Sequence, residues 1–416
     1  MKWLANVLSR IGLGACAVVL CMAGARADVP LLSVCSWPIE FAGEGVLNVA
    51  TPDTRTTYWF MPVDTRLWKS ITFQGIYPNA RAFNFTSYTE SGVFISTLAD
   101  DQIRPDPGST NPFATPEATG SRFYTVTISA SGSGPNKLDA GGSRLVFILY
   151  RVIVPNQGLD KTGSTGLPAV TLAARAGGSL QLRPCPFANA QAALGNTIPI
   201  LVASGFSGGA GFLQNILAAV NQKNAIQPAC NPSQAAASAA VPFGPAPGLE
   251  FYPNPPTAYL QTSNICFQPG RILVLRGRAL VYPNTYLGSS IFQPAFDGQV
   301  EARYWSMCNN DGVFPFPVLG CQADYETRLD QTQSYTYVVS ADPGPPTWLP
   351  ADATWLPWGP PEIPITVIFR AILADNVPVP AEFVPKGAIC DEALFVAQEW
   401  QGCFAAAGVS SPSGTR

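Results

Sequence analysis

Ile71-Thr72-Phe73-Gln74-Gly75, with Tyr77-Pro78-Asn79 close behind, returns in the second half of the chain as Leu273-Val274-Leu275-Arg276-Gly277 with Tyr282-Pro283-Asn284. Three more echoes follow in the same order. Gly92-Val93-Phe94 returns as Gly312-Val313-Phe314, Tyr124-Thr125-Val126 as Tyr335-Thr336-Tyr337, and Ile148-Leu149-Tyr150-Arg151 as Val367-Ile368-Phe369-Arg370. Order is kept while the spacing between matches changes, which is how a duplicated unit with variable loops reads. Tyr252-Pro253-Asn254 shows that one such tripeptide also recurs outside this frame.

The repeated segments are short and alternating or wholly apolar, bounded by Gly, Pro, Asn and Asp. Residues 70–73, 123–129, 145–154, 272–275, 335–340 and 365–373 all have this form, which is that of β-strands. A sheet with one apolar face must bury it against another. The expectation is therefore a mainly β protein of two tandem jelly-roll-like β-sandwich domains, residues 28–190 and 251–390, with a short helical and linker region between them. In that region a helix is expected over 211–222, with Phe212, Leu213, Ile216, Leu217 and Val220 on one face, and an Ala/Pro/Ser-rich surface linker over 232–248. Residues 391–416 read as a tail that opens with a helix over 391–400.

The composition excludes several functions. Of 416 residues, 12% are charged, against about 25% in an ordinary globular domain, while 47% are hydrophobic, enough for a large core. The chain has no histidine. A Ser-His-Asp or Cys-His apparatus, an imidazole metal site and a His-ligated haem are all excluded within it. Gly205-Phe206-Ser207-Gly208-Gly209, after an apolar run and before the expected helix, has the look of a nucleophile elbow. Ser207 lacks a histidine base and no lysine lies three residues after a serine, so the motif reads as a turn. The acid/base groups that remain are carboxylates: Asp100, Asp101 and Asp106 with Ser109 and Asn111 in one loop, and Asp324 with Glu326 at the matching end of the second unit. Such a loop could serve glycosidic chemistry or hold a hard cation, or its residues simply make turns.

The first 27 residues place Lys2 and Arg10 before an apolar run and end on Ala25-Arg26-Ala27, the layout of a secretory leader cleaved after Ala27. Its removal shifts the net charge from −3 to −6, because it carries three basic residues and no acidic one. No basic footprint for nucleic acid remains, and no membrane span is expected after cleavage. Cys16 and Cys21 leave with the leader, so that Cys35, Cys185, Cys230, Cys266, Cys308, Cys321, Cys390 and Cys403 stay. An even set in an exported chain, without any C-x-x-C pair, reads as disulfides rather than a metal site. Cys308 and Cys321 flank the turn-like Asn309-Asn310-Asp311-Gly312 and form one expected pair; Cys390 and Cys403 form another.

Ligand-binding candidates are aromatic and cationic. Tyr304, Trp305, Trp348, Trp355 and Trp358 concentrate in the second unit, three of the indoles on a proline-stiffened stretch. They could offer flat faces to a sugar or apolar ligand, or plug the end of the sandwich. Arg151 and Arg370, at equivalent places in the duplicated strand, could bind an anion or pair with acidic neighbours.

At Arg303-Tyr304-Trp305-Ser306, and at Ala353-Thr354-Trp355-Leu356-Pro357 leading to the strand over 365–373, the second unit resembles the bacterial domain of unknown function 1214. That domain often accompanies the domain of unknown function 1254 in exported β-rich proteins. The resemblance covers residues 300–375 and implies a jelly-roll-like sandwich, with no settled activity or catalytic residues. The chain departs from the pattern in its cysteines around the hairpin and its second Trp-Leu-Pro.

The functional expectation is an exported, non-catalytic binding or envelope-associated protein without a cofactor. Its partner would be a small molecule, a glycan or an envelope component. The alternative is a secreted, carboxylate-dependent hydrolase or lyase acting on an extracellular polymer. Amino-terminal sequencing of the exported protein is expected to begin at Asp28; a product that retains residues 1–27 would contradict the leader.

Overall fold

Side chains that alternate along each strand build the first unit. Trp59, Met61 and Val63 of β2 (Thr56–Asp64), Phe83 and Phe85 of β4 (Ala80–Thr89), and Val146, Ile148, Tyr150 and Val152 of β8 (Leu145–Pro155) enter one core. Ile71 and Phe73 of β3 (Trp68–Ile76), Val126 and Ile128 of β6 (Phe123–Ser129), and Val170 and Leu172 of β9 (Ala169–Ala174) meet them there. The two-residue period of a strand aims these side chains to one face and their neighbours to the other. The computed structural model describes residues 35–43, 48, 50–89, 92–116, 119–129, 134–185, 238–245, 252–313, 316–374 and 378–410.

Adding β1 (Ile39–Ala42), β5 (Phe94–Ala99), β7 (Lys137–Asp139) and β10 (Ser179–Leu182) completes two five-stranded sheets, ordered β1-β2-β8-β4-β5 and β10-β9-β3-β6-β7. The second unit repeats the plan. β12 (Gly244–Pro245), β13 (Ala258–Gln261), β19 (Ile365–Leu373), β15 (Ala302–Asp311) and β16 (Val318–Ala323) form one sheet in that order. β11 (Ala239–Pro242), β20 (Lys386–Asp391), β14 (Arg271–Arg278), β17 (Ser334–Ser340) and β18 (Ala353–Pro357) form the other. Even the exceptions match: β6–β7 and β17–β18 are parallel, while every other strand pair among the described residues is antiparallel. The echoed glycines have a shared cause. A Cβ on Gly75 would overlap the Tyr124 hydroxyl, and one on Gly277 that of Tyr335, so each strand needs a glycine where its tyrosine crosses.

Several boundaries differ from the expectation. Part of the 232–248 stretch is not a linker: β11 and β12 add an edge strand to each sheet of the second sandwich, since alanine and proline are tolerated at sheet edges. Tyr252-Pro253-Asn254 belongs to the repeat after all. It precedes β13 as Thr51-Pro52-Asp53 precedes β2, within a shared Pro-Asp/Asn-x-x-Thr-x-Tyr pattern. The terminal helix, α1 (Glu392–Ala406), breaks at Glu399, whose φ of 51° is non-helical, and a second segment follows in which Cys403 and Phe404 bury against Ile272, Val274 and Val338. The leader, Ser207 and the helix expected over 211–222 lie outside the described residues. Both expected disulfides are present, Cys308–Cys321 directly across β15 and β16 and Cys390–Cys403 between β20 and α1; Cys35–Cys185 joins the two ends of the first unit. Cys266 is disulfide-bonded as well. Bonds of this kind belong to an oxidising, non-cytoplasmic setting. Among the described residues, no helix is long and apolar enough to cross a membrane.

The sandwiches meet through the outer faces of the sheets that hold β4 and β15, where Ala82, Ile153, Tyr304 and Ile372 share an apolar cluster. Two ion pairs cross this joint in opposite directions. Arg81 Nη1 on β4 lies 2.6 Å from Asp324 Oδ2, and Arg303 Nη1 on β15 lies 2.5 Å from Asp100 Oδ1. The arginines hold equivalent positions on equivalent strands, and the aspartates directly follow β5 and β16. Each carboxylate also accepts two backbone N–H groups, from Phe83 and Asp101 at Asp100, and from Trp305 and Tyr325 at Asp324. Burial pushes both carboxyls above the ordinary carboxylate range, and the facing guanidinium opposes the rise. Arg55 and Glu326 add a third pair.

Removing one partner of a buried pair strands the other charge, at a cost of about 3–5 kcal/mol. Arg81→Ala is expected to lose about that much stability in guanidinium unfolding, and Arg81→Met with Asp324→Leu clearly less. Equal losses in the two variants would contradict a specifying role for the bridge.

Candidate ligand site between the sandwiches

A pocket opens where the two crossing segments, 51–53 and 252–254, lie over the joint. Its volume is about 110 Å³, and its wall includes Phe60, Leu149, Ile153, Tyr252 and Ile372 together with Asp53, Arg151 and Arg370. These last three are its charged side chains.

The site is built from two related halves. In the first, Arg151 on β8 sits opposite Tyr58 on β2; in the second, Arg370 on β19 sits opposite Tyr259 on β13. Each guanidinium lies over its cross-strand tyrosine ring, at 5.8 Å and 5.9 Å from the centroid. Each also reaches into the other unit's crossing segment. Arg151 Nη2 donates to Tyr252 O at 3.0 Å, and Arg370 Nη2 donates to Thr51 O at 2.5 Å. The exchange extends to the next residues: Asn84 Nδ2 donates to Asn254 Oδ1 at 2.7 Å, and Ser306 Oγ to Asp53 Oδ2 at 2.7 Å.

Equivalent position does not mean equal saturation. Arg151 donates further to Asn84 Oδ1, Thr86 Oγ1 and Tyr88 Oη, all from alternate residues of β4. The matching residues of β15 are Ser306, Cys308 and Asn310, and none accepts from Arg370. Ser306 is turned to Asp53, Cys308 is in a disulfide, and Asn310 Nδ2 donates to the carbonyls of Cys308 and Thr366. Arg370 Nη1 is buried and has no hydrogen-bond partner. The two arginines are only 2% and 5% exposed, and no carboxylate among the described residues lies within ion-pair distance of either.

Asp53 is fully engaged: it accepts from Tyr304 Oη at 2.8 Å, from Ser306 Oγ and from Arg55 N at 2.8 Å. Tyr58 accepts from Asp53 N at 3.2 Å. Burial, then the Asp53 charge, pushes the Tyr58 phenol up to about 12, against the pull of Arg370, so it keeps its proton at neutral pH. Burial likewise raises Tyr88 against Arg151, and takes Tyr304 well above the ordinary phenol range. Asp53 also lies beside Cys308 and Cys321, but sulfurs bonded to one another are not thiolate ligands.

Of the expected binding residues, Arg151, Arg370 and Tyr304 line this one pocket. The indoles do not join them. Trp305 is buried in the core with its N–H donated to Leu280 O at 3.0 Å, and Trp358 packs on Phe267 with centroids 5.4 Å apart. Trp348 lies against Phe395 of α1, and Trp355 is half-buried with its N–H on Ser340 Oγ. Residues 353–357, read as part of a loop, pair with β17, and Leu356 and Trp358 beside Trp355 are buried in the core. The acidic loop is structural as well. Asp100 is bridged to Arg303, Asn111 Nδ2 donates to the carbonyls of Asp100 and Ile103, and Asp106 accepts from Thr125. Sequence reasoning missed Asp53, Tyr58 and Tyr259. The shared Pro-Asp/Asn-x-x-Thr-x-Tyr pattern was the signal that would have found them.

No protein-family model matches the chain, and no curated protein does. Among solved structures, the chain is similar to an uncharacterized protein from Burkholderia cenocepacia, with TM-score 0.50 and 14% identity, covering 86% of this chain and 84% of that one. The VPA0106 protein from Vibrio parahaemolyticus aligns with TM-score 0.40 and 12% identity over 83% of this chain and 92% of that one. The first of these likenesses concerns the fold alone.

Proposed function

We propose that the protein is an exported binding protein that holds a small ligand, part apolar and part anionic, in the pocket between its sandwiches. The observation that carries this reading is the pair of buried guanidiniums that form no ion pair among the described residues, in a wall whose one carboxylate is Asp53. A buried charge is costly unless it is paired. Neutral oxygens offset part of that cost at Arg151 and little of it at Arg370, so an anion supplied from outside completes the site. Guanidinium suits carboxylate or phosphate because its planar fork matches their oxygens.

The volume bounds the ligand. A cavity of about 150 Å³ is enough for a benzene ring, so about 110 Å³ takes a head group and a short body, and anything longer projects from the mouth. Polysaccharide binding loses its platform, because the tryptophans that would stack on sugar rings are buried or engaged. The leader and the disulfides support export, to the periplasm or beyond it. The likeness of residues 300–375 to the domain of unknown function 1214 carries no activity and leaves this reading unchanged.

Hexanoate and benzoate, tested by thermal unfolding and calorimetry beside hexanamide and benzamide, separate charge from shape. The two acids are expected to stabilise the protein saturably, by about 2.7 kcal/mol at a hundred times Kd, and the amides not at all. Equal binding of acids and amides, or no binding by either acid, would overturn the proposal.

A further inference from the structure

We infer that the pocket selects monoanions, with one carboxylate held by Arg370 Nη1 and the Tyr58 hydroxyl, and with Arg151 built into the wall. This rests on the binding role proposed above and adds a charge state and an orientation to it.

Charge comes first. The charged side chains of the wall are Arg151, Arg370 and Asp53, two cations and one anion, so one negative charge balances the site and a second would be in excess. Donor capacity then sets the orientation. Both Nη atoms of Arg151 are saturated by two acceptors each, Asn84 and Thr86 on Nη1 and Tyr88 and Tyr252 on Nη2. Arg151 leaves only its buried Nε without a partner, whereas Arg370 has one carbonyl partner in all and its Nη1 is buried with none. Tyr58 accepts from Asp53 N, while its own O–H proton has no acceptor among the described residues. Arg370 and Tyr58, both residues of the pocket wall, thus each keep an unused donor, an N–H and an O–H, and a carboxylate offers an oxygen to each. The apolar body of the ligand lies along Phe60, Leu149, Ile153 and Ile372.

Calorimetry on the mature full-length protein with hexanoate, and with adipate as its dianionic counterpart of equal chain length, tests the assignment. Hexanoate is expected to bind at least tenfold more tightly than adipate. Arg370→Gln is expected to weaken hexanoate at least tenfold and Tyr58→Phe about threefold or more, with Arg370→Lys between Arg370→Gln and the native protein. Should Arg370→Gln not fold, Tyr58→Phe and the adipate comparison decide. Native-like affinity in Arg370→Gln or Tyr58→Phe, or adipate binding as tightly as hexanoate, would overturn the inference and leave the pocket a ligand site. No hexanoate binding by the native protein would overturn both.

Discussion

Two guanidinium–carboxylate bridges that cross the joint in opposite directions hold this molecule in its one arrangement. Arg81 reaches Asp324, and Arg303 reaches Asp100, from positions that correspond in the two sandwiches. A buried bridge adds little net stability over well-packed apolar residues, yet it is intolerant of misalignment, since any slip leaves a charge unpaired. Contacts that go from residue i to j and back again are those of an isologous two-fold interface. Here both copies lie in one chain, so the two faces are held together and can diverge independently.

That divergence makes the site. The same pseudo-two-fold relation places Arg151 over Tyr58 and Arg370 over Tyr259, and sends each arginine to the other unit's crossing segment. A symmetric pair would be equally saturated. Instead, β4 supplies Asn84, Thr86 and Tyr88 as acceptors for Arg151, whereas Ser306, Cys308 and Asn310 on β15 are engaged elsewhere. The Cys308–Cys321 disulfide thus has a second consequence besides stapling a hairpin: it occupies the position from which Thr86 serves Arg151. One guanidinium became wall and the other remained a donor.

Much of the architecture was legible in the residues. Alternation or continuous apolar runs in β3, β6, β8, β14, β17 and β19 marked the strands, and the echoed Gly75–Tyr124 and Gly277–Tyr335 positions share a packing constraint that explains their recurrence. The two local disulfides followed from spacing around a turn and a helix. Arg151 and Arg370 were recognisable as equivalent, but their convergence on one pocket was not, because it depends on how the outer faces of two sheets dock. Local alternation says nothing about that. The tryptophans misled for a related reason: a proline-rich run with three indoles looks like an exposed platform, yet Trp348 packs on Phe395, Trp355 on β18 donates to Ser340 and Trp358 enters the core. Edge strands β11 and β12 were hidden because alanine, glycine and proline carry no strand periodicity.

The central claim is that the joint between the sandwiches carries an uncompensated positive charge awaiting an anion. A high-resolution crystal structure of the protein, purified without added carboxylate and then soaked in hexanoate, tests it most directly. Planar density bridging Arg370 Nη1 and the Tyr58 hydroxyl, with the hydrocarbon tail against Leu149 and Ile372, is the predicted result. A pocket that holds water alone after the soak, with Arg370 turned onto Asp53, would contradict it.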